Sequence, residues 1–460
     1  MSDKLKPYPK YKDSGVPWLG QIPEHWDVRR NGRLFAQRNE TGFGELPILE
    51  VSLRTGVRVR DMDNQKRKQV MSDAEKYKRA AKGDIAYNMM RMWQGALGTA
   101  PVDGLVSPAY VVARPFEETN PNYYSYLFRT EAYKAEVDGY SRGIVKDRNR
   151  LYWNDFKCMP SCFPPPEEQA AIVRFLDANA VLVRQFIRNR RRLIYALTEQ
   201  KQAIINRAVT HGLNPNVRMK PSGVDWLQDI PEHWEIVRNG RLFAQRNETD
   251  FAELPILEVS LNTGVSVRDM SNTKRKQVMS DREKYKKADR GDLAYNMMRL
   301  WQGAVGTVPV NGLVSPAYVV ARPFKNTNTK FYAFLFRTND YMAEIDGYSR
   351  GIVKDRNRLY WEDFKRMTSV FPPRCEQDQI AEMIEQFESD FRIAIGTIDR
   401  EIALMMEYRD RLIACVSAGA LDVRFLNFDA GDLLDTTEED FETDSADEEE
   451  FDEELTHADD

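Results

Sequence analysis

Arg30–Thr41 reads RNGRLFAQRNET, and Arg238–Thr249 repeats it without a change 208 positions later. Two longer stretches recur at the same offset: Gly104–Phe116 (GLVSPAYVVARPF) as Gly312–Phe324, and Tyr140–Trp153 (YSRGIVKDRNRLYW) as Tyr348–Trp361. The match begins near residue 14 and no insertion interrupts it. A period this long excludes solenoids, whose units have about 20–50 residues. The sequence therefore predicts two whole copies of one module.

Length and composition are those of a multidomain soluble protein. The chain has 460 residues, enough for two or three domains, and 42% of them are hydrophobic. No apolar run reaches the roughly 18–20 residues that span a bilayer, and Met1–Tyr8 lacks the apolar stretch of a secretory signal. Cys158, Cys162, Cys375 and Cys415 show neither a disulfide framework nor zinc-ligand spacing. We expect a cytoplasmic protein without a metal site and without membrane association.

The charge is unevenly distributed along the chain. Asp429–Asp460 holds 17 acidic residues and no Lys or Arg. Because the whole chain carries −5, residues 1–428 carry +12 without that segment. A body this basic suits a polyanionic partner such as nucleic acid, although a generally solvated basic surface remains an alternative.

The first part of each module has the pattern of a compact α/β (α+β) domain. Short strand-like runs at Leu46–Val51, Ile85–Met89 and Val106–Ala113 alternate with Gly/Pro turns. One helix is predicted at about Tyr123–Val137. The pattern does not determine the strand order.

The second part of each module is a long predicted helix. Pro164–Gln169 places prolines and acids at a helix start, and His211-Gly212 is typical of a helix end. The second copy runs from about Cys375 to Ala418. Apolar residues with 3–4 spacing form the seam: Leu176, Val183, Ile187, Ile194, Leu197 and Ile204 in the first helix, and Ile384, Phe391, Ile395, Ile398, Ile402, Met405, Leu412 and Val416 in the second. Arg190, Lys201 and Arg409 interrupt it.

This spacing predicts a coiled coil, with a buried helix in a globular core as the alternative. The first helix leads away from domain one and the second must run back, so the pair is expected to be antiparallel. The result is a dumbbell with a pseudo-two-fold axis and rods of roughly 65 Å. The predicted boundaries are 1–163 for the first domain, 164–212 for its helix, 213–371 and 372–424 for the second pair, and 425–460 for an acidic disordered tail.

The sequence contains no recognisable catalytic constellation. A dinucleotide-binding glycine motif and a phosphate-binding loop lysine are both missing. Ser107–Tyr110 faintly resembles the Asn/Asp/Ser-Pro-Pro-Tyr/Phe motif of amino-methyltransferases, but Ala109 departs from it and a strand turn is the better interpretation. His25 and His233 each precede a tryptophan, which suggests packing at the module start. We expect no catalytic residue.

Basic and amide side chains beside aromatic residues are the candidate functional residues. Paired donors and acceptors on Arg and Gln match guanine and adenine edges, and basic clusters suit phosphate contacts. In the first copy the candidates are Arg54, Arg58, Arg60, Lys66, Arg67, Arg91, Trp93, Gln94, Arg142, Lys146, Arg148, Asn149 and Arg150. In the second they are Asn262, Ser266, Arg268, Lys274, Arg275, Arg299, Trp301, Gln302, Arg350, Lys354, Arg356, Asn357 and Arg358. Surface solvation is the alternative for any single one, and Trp93 and Trp153 individually favour core packing.

The chain resembles the specificity subunits of type I restriction–modification systems over roughly residues 8–424. The motifs that carry the resemblance are Ser14–Val16 with Trp18–Gly20, Ile22–Trp26, Tyr87–Arg91 with Trp93–Gly95, Val106–Tyr110, Pro164–Gln169 leading through Ile172 to Leu176-Asp177, and Thr210–Leu213. Each motif is weak alone, and their combination is specific. The second copy departs at Asp225 for Pro17 and at Gly419-Ala420 for His211-Gly212, which affects linkers more than recognition.

The resemblance implies a non-catalytic subunit with two target recognition domains, each binding one half of a bipartite site in double-stranded DNA. It implies two methyltransferase subunits around the spacer helices and a restriction (translocase) subunit. The chain itself is expected to need no cofactor, because S-adenosylmethionine, ATP and Mg would belong to those partners.

The duplication adds a prediction about the DNA. Two related DNA-binding modules on a pseudo-two-fold axis are expected to bind related half-sites in inverted orientation. These half-sites should lie about one helical turn apart, roughly 34–36 Å. The copies differ at Arg54/Asn262, Arg58/Ser266, Asp63/Ser271 and Gln65/Thr273, which would break the symmetry wherever they contact bases.

Two other function classes remain open: a self-contained DNA methyltransferase or nuclease with unrecognised motifs, and a protein-interaction scaffold that binds no DNA. For the acidic tail we favour a disordered solvating segment. The alternative is that it competes with DNA for the basic body or contacts a partner subunit.

Overall fold

The repeated stretch Arg30–Thr41 forms the same structure in both copies. In the computed structural model, Phe35–Arg38 and its repeat Phe243–Arg246 are both strands, and each follows a short 3-10 turn, Asn31–Arg33 or Asn239–Arg241. The structure describes residues 5–53, 55–61, 74–143, 149–261, 263–268, 282–350 and 357–426. These fall into two units: unit 1 contains 5–190 and 400–426, and unit 2 contains 191–399.

Unit 1 is built mainly from short strands. They are β1 Tyr11–Asp13, β2 Gln21–Pro23, β3 Asp27–Arg30, β4 Phe35–Arg38, β5 Leu49–Ser52, β6 Gly56–Val59, β7 Lys78–Ala80, β8 Ile85–Asn88, β9 Leu97–Thr99, β10 Gly104–Val106, β11 Tyr110–Pro115 and β12 Pro160–Phe163. Its helices are α1 Pro121–Phe128, α2 Glu131–Tyr140, α3 Trp153–Phe156 and the first part of α4 Pro166–His211.

Unit 2 repeats this order. Its strands are β13 Met219–Val224, β14 Leu227–Pro231, β15 Glu235–Arg238, β16 Phe243–Arg246, β17 Leu257–Ser260, β18 Gly264–Val267, β19 Lys286–Ala288, β20 Leu293–Asn296, β21 Val305–Thr307, β22 Gly312–Val314, β23 Tyr318–Pro323 and β24 Thr368–Phe371. The helices are α5 Thr329–Leu335, α6 Asn339–Tyr348, α7 Trp361–Phe364 and α8 Arg374–Ser417, whose last part belongs to unit 1.

A four-stranded sheet is the centre of each unit. In unit 1 its order is β4-β11-β8-β9, and in unit 2 it is β16-β23-β20-β21. The strands pair antiparallel, for example Val112 opposite Arg38 and Ala113 opposite Ile85. Strands and helices are therefore mixed as in α+β domains, rather than alternating around a parallel sheet as in α/β domains. One face of each sheet packs against the aromatic residues of the helices that follow it.

Two predicted elements are each divided in the structure. The predicted strand Val106–Ala113 is wrong as one element, because Ser107-Pro108 makes a turn in which the Tyr110 N–H donates to the Ser107 carbonyl (2.9 Å). The predicted helix at Tyr123–Val137 is two helices, α1 and α2. The Thr130 hydroxyl accepts from the Tyr133 N–H and starts the second helix, as N-cap residues do.

The two long helices lie where the sequence predicts them. α4 ends one residue before Gly212 and α8 ends two residues before Gly419, and both glycines have positive φ (75° and 81°). Gly419 thus takes the place that Gly212 has in the first copy. This backbone conformation suits glycine because a Cβ there is strained.

Within each unit, segments of α4 and α8 pack antiparallel. In unit 1, Leu176 shares a core with Leu412, while further along α4 the Arg190 guanidinium pairs with Glu401 (3.0 Å). Residue numbers therefore increase along α4 in the direction in which they decrease along α8, so the two helices run antiparallel. In unit 2, Val209 shares a core with Ile380, and Lys201 pairs with Glu388 (2.9 Å). Arg190 and Lys201, which interrupt the apolar seam, are thus accommodated by carboxylates on the facing helix.

The first residues that the structure describes contact those that follow α8 in unit 1. The Asp422 N–H donates to the Lys6 carbonyl (2.8 Å), and the Tyr11 hydroxyl donates to the Ala420 carbonyl (3.1 Å). Val423 is buried in the same core as Tyr8. The described residues after α8 therefore complete the first module.

Candidate nucleic-acid interface

A tight turn after β8 presents the arginine and glutamine that the sequence singles out. Met92–Gln94 forms one 3-10 turn, closed by Gly95 at φ 90°. Within it Met92 is buried, while Arg91 and Gln94 are exposed. Leu300–Gln302 forms the same turn in unit 2, closed by Gly303 at φ 91°, with Arg299 and Gln302 exposed. The alternation places the polar ends in solvent and anchors the turn in the core.

The tryptophan of this turn packs inward. Trp93 is half-buried against the unit 1 core, and its indole N–H donates to the Met90 carbonyl (3.0 Å). Trp301 does the same with Met298 (2.9 Å). The ring supports the turn, in agreement with the preference for core packing. Trp153 is also packed against the core.

A backbone bridge brings a second basic segment beside this turn. Arg142 and Arg150 exchange two backbone hydrogen bonds of 3.0 Å, and the next residue, Leu151, donates its N–H to the Met89 carbonyl (2.9 Å). The exposed Arg150 therefore lies near the segment that leads into Arg91. Arg350, Arg358, Leu359 and Met297 make the same bonds in unit 2.

Acidic side chains position some of the predicted contact residues. The Arg142 guanidinium donates to Asp155 (2.5 Å), and that of Arg350 donates to Asp363 (2.5 Å), while both arginines remain largely exposed. The Asn357 amide donates to Asp346 (3.1 Å), and Asn149, its counterpart, is half-buried. An arginine fixed in this way needs less reordering when a ligand binds.

The strand pair β5–β6 distinguishes the two copies. The Arg58 Nε donates to the Glu50 carboxylate on the facing strand (2.6 Å). In unit 2 the facing pair is Glu258 and Ser266, so the cross-strand guanidinium is replaced by a short hydroxyl. The charge of this strand pair therefore differs between the units by one arginine.

Arg60 and Arg91 lie within electrostatic reach of one tyrosine. Burial raises the pKa of Tyr110, the Glu50 carboxylate raises it further, and Arg60 and Arg91 oppose the shift. In unit 2, burial and Glu258 raise the pKa of Tyr318, which Arg268 and Arg299 oppose. The structure thus brings together residues about thirty positions apart in sequence, which the pattern alone predicts only as separate clusters.

Sequence reasoning missed a pair of equivalent arginines and a pair of lysines beneath this surface. Arg129 donates to the carbonyls of Gly95 (3.4 Å), Ser52 (3.4 Å) and Leu53 (3.2 Å), and Arg337 repeats these bonds. Lys78 donates to the Tyr110 carbonyl (2.8 Å), and Lys286 donates to that of Tyr318 (2.8 Å). The signal in the sequence is their recurrence at the offset of 208.

The sequence also does not predict a histidine–glutamate contact that joins each module start to a long helix. In unit 1, His25 lies 2.8 Å from the buried Glu168 carboxylate, which also accepts from the Tyr8 hydroxyl. In unit 2, the Glu376 carboxylate contacts His233 (2.9 Å) and accepts from the Trp234 indole (3.0 Å). Both histidines therefore pack at the module start, as expected.

Ten candidate contact residues lie outside the residues that the structure describes: Arg54, Lys66, Arg67, Lys146, Arg148, Asn262, Lys274, Arg275, Lys354 and Arg356. The divergent positions Asp63, Ser271, Gln65 and Thr273, and the acidic segment from Asp429, also lie outside them. Among the residues described, no helix is long and apolar enough to cross a membrane, and no three His, Cys, Asp or Glu side chains are grouped as metal ligands.

Comparisons with solved structures identify the fold. A chain described with the structural basis of complex assembly and conformational transition of the type I R-M system has a TM-score of 0.63 and 14% identity, covering 86% of this chain and 98% of that chain. The HsdS subunit from Thermoanaerobacter tengcongensis has a TM-score of 0.50 and 16% identity, covering 87% and 97%. No family model and no curated protein matches the sequence. At these identities the likeness shows a shared fold.

Proposed function

We propose that this chain is the specificity subunit of a type I restriction–modification system. The observation that carries the proposal is a fold shared over 86% of the chain with a component of such a system, combined with two copies of one exposed arginine–glutamine turn. A fold alone does not determine a function. The turn supplies the chemistry, because Arg and Gln side chains form paired hydrogen bonds with base edges in the major groove.

Each module binds one half of a bipartite site in double-stranded DNA. Arg91 and Gln94 in unit 1, and Arg299 and Gln302 in unit 2, contact bases, while Arg150 and Arg358 contact phosphates that fix the register. The chain performs no catalysis. Two methyltransferase subunits bring S-adenosylmethionine, and a restriction subunit brings ATP and Mg.

The long helices form an antiparallel coiled coil. Support comes from the cross-helix pairs Arg190–Glu401 in unit 1 and Lys201–Glu388 in unit 2. Methyltransferase subunits bind around these helices. The assembly acts in the cytoplasm, where its DNA lies.

Because the two modules are related in sequence, they bind related half-sites, one inverted relative to the other. The site is an interrupted palindrome or near-palindrome with half-sites about one helical turn apart, roughly 34–36 Å. The Arg58/Ser266 difference is a place where the two halves diverge, because arginine and serine form different base contacts.

The test is methylome sequencing of cells that express the methyltransferase subunit of the same system with and without this chain. A bipartite methylated motif that appears only when the chain is present supports the proposal. Double substitution R91A/Q94A is expected to abolish methylation, while R114A, which removes an exposed arginine of β11, leaves it intact.

Methylation that persists without the chain would contradict the proposal and favour the scaffold class. Methyl transfer by the purified chain alone would favour a self-contained enzyme.

A further inference from the structure

Two surface segments that are separate in sequence lie side by side in each unit. The first is the β5–β6 hairpin, where Ser52 pairs with Gly56. The second is the turn from Met92 to Gly95, which carries Gln94. A reader that presents side chains from both segments needs them at a fixed separation, because hydrogen bonds to base edges tolerate little displacement.

Arg129 joins the two segments. Its Nε donates to the Gly95 carbonyl, and one terminal nitrogen donates to the carbonyls of Ser52 and Leu53. Arg129 lies between α1 and α2, at the break in the predicted single helix. The break therefore turns this side chain away from a helix and toward the hairpin.

Two glycines with positive φ, Gly56 (81°) and Gly95 (90°), lie beside the Arg129 side chain. A Cβ on Gly56 would lie 3.7 Å from the Arg129 terminal nitrogen, and one on Gly95 would lie 3.9 Å from its Cγ. A Cβ on Gly98 would lie 2.7 Å from the Val57 nitrogen, closer than real Cβ atoms approach. The hairpin backbone thus packs directly against β9. Arg129 holds the hairpin by hydrogen bonds at Ser52 and Leu53.

Arg337 is the counterpart of Arg129 in unit 2. Among the described residues, no carboxylate forms an ion pair with either arginine, and burial lowers the pKa of both. Both side chains are half-buried, and the hydrogen bonds of their guanidinium groups go to backbone carbonyls. Lysine cannot replace it, because an ammonium is a point charge and lacks the planar fork that reaches three acceptors.

We propose that Arg129 and Arg337 are positioning residues that lock the hairpin to the Arg/Gln turn in each unit and thereby set the base preference of that unit alone. This inference rests on the proposed function and deepens it. Unit 2 has the same device: Arg337 donates to Gly303 (3.2 Å), Ser260 (3.3 Å) and Leu261 (3.3 Å). The two locks are therefore independent, and each serves as the control for the other.

The experiment uses the full chain in complex with its methyltransferase subunit, with the conservative variants R129K and R337K and the surface variant R114K. Hydrogen exchange measures the amides of residues 52–57 and 260–265, and methylome sequencing gives the motif. We expect R129K to accelerate exchange in 52–57 by about tenfold, because charge-assisted bonds are lost. The same variant should relax base preference in one half-site, while R337K relaxes the other and R114K changes neither.

The outcomes separate two failures. Unchanged exchange in R129K would overturn the lock itself. Faster exchange with an unchanged motif would overturn the positioning role and leave a purely structural arginine. If the unsubstituted complex methylates without sequence preference, the proposed function fails and the base-preference part of the inference fails with it, while exchange still reports whether the lock exists.

Discussion

The two units share their exposed arginine–glutamine turns and differ at their module starts. The turns Met92–Gln94 and Leu300–Gln302 and the bridges beside them are made by the same bonds. At the starts, Glu168 accepts from Tyr8 in unit 1, whereas Glu376 accepts from Trp234 in unit 2. Asn216 stands where unit 1 has Tyr8, so unit 2 has no phenol at that position to donate to the glutamate. Unit 1 is also completed by residues after α8. Nearly identical sequence thus preserves the turn and the bridge beside it, while residues after α8 close unit 1.

The largest expected effect comes from removing that closure. Truncation after Ser417 removes the buried Val423 and the Asp422–Lys6 backbone bond. We expect unit 1 to lose about 3–5 kcal/mol, from one buried aliphatic side chain and two or three hydrogen bonds. Hydrogen exchange of unit 1 and unit 2 peptides measures the effect separately in each. Truncation after Leu426 is the control, since it removes the acidic segment and keeps the closure. Equal destabilisation by both truncations would contradict the closing role.

A second substitution tests the equivalence of the two cores. Asn31 donates to the Tyr133 hydroxyl (2.7 Å) and accepts from Ser161 (2.8 Å), and Asn239 makes the matching bonds in unit 2. We expect N31A and N239A each to cost about 2–3 kcal/mol in their own unit, because buried polar partners are left unsatisfied. Chemical denaturation with unit-resolved exchange checks this, with the exposed N122A as control. A large effect in one unit and none in the other would show that the repeated stretch does not build equal cores.

Cys162 gives unit 1 a pH dependence that unit 2 lacks at the matching position, which is Val370. Burial raises the pKa of the Cys162 thiol from 9.0 to about 12. The unfolded thiol ionises first, so this stability is present below pH 9 and is lost as the pH rises from 9 toward 12. At pH 10 the loss is about 1.4 kcal/mol, one pKa unit.

C162V should remove that loss from unit 1, and V370C should introduce one in unit 2. Denaturation midpoints at pH 8 and pH 10 measure both. Identical pH dependence in the parent chain and C162V would contradict the assignment.

The smallest expected effect concerns the strand pair that distinguishes the units. Arg58 is half-buried and paired with Glu50, so R58S is expected to change stability by about 0.5–1 kcal/mol. If the side chain also contacts bases, the preference of one half-site changes and S266R changes the other toward it. Methylation motifs of both variants decide this. Loss of preference in both halves from either single variant would contradict independent readers.

The sequence predicts the duplicated organisation and the long helices well, because both depend on local or periodic signals. Pro164–Gln169 and the glycines after each helix mark the ends of α4 and α8 within one or two residues. Each domain is harder to predict. The turn at Ser107-Pro108 and the N-cap Thr130 divide elements whose hydrophobicity is continuous, so periodicity alone joins them.

The candidate site is predictable by residue type and less so by arrangement. Arg91 and Gln94 stand out because an amide and an arginine flank a tryptophan, and the structure places both in solvent. Arg129 gives no such signal, because its partners are backbone carbonyls that any sequence supplies. Its role emerges only when the chain brings Ser52, Gly95 and α1 together.

The most direct test of the account is the relation between the two halves of the methylated motif in cells that contain this chain and its methyltransferase subunit. We expect an interrupted motif whose halves are related by inversion. The halves should differ only at base positions contacted by residues that differ between the units, such as Arg58 and Ser266. Two halves without any inverted relationship would contradict the claim that the duplicated modules read DNA in the same way.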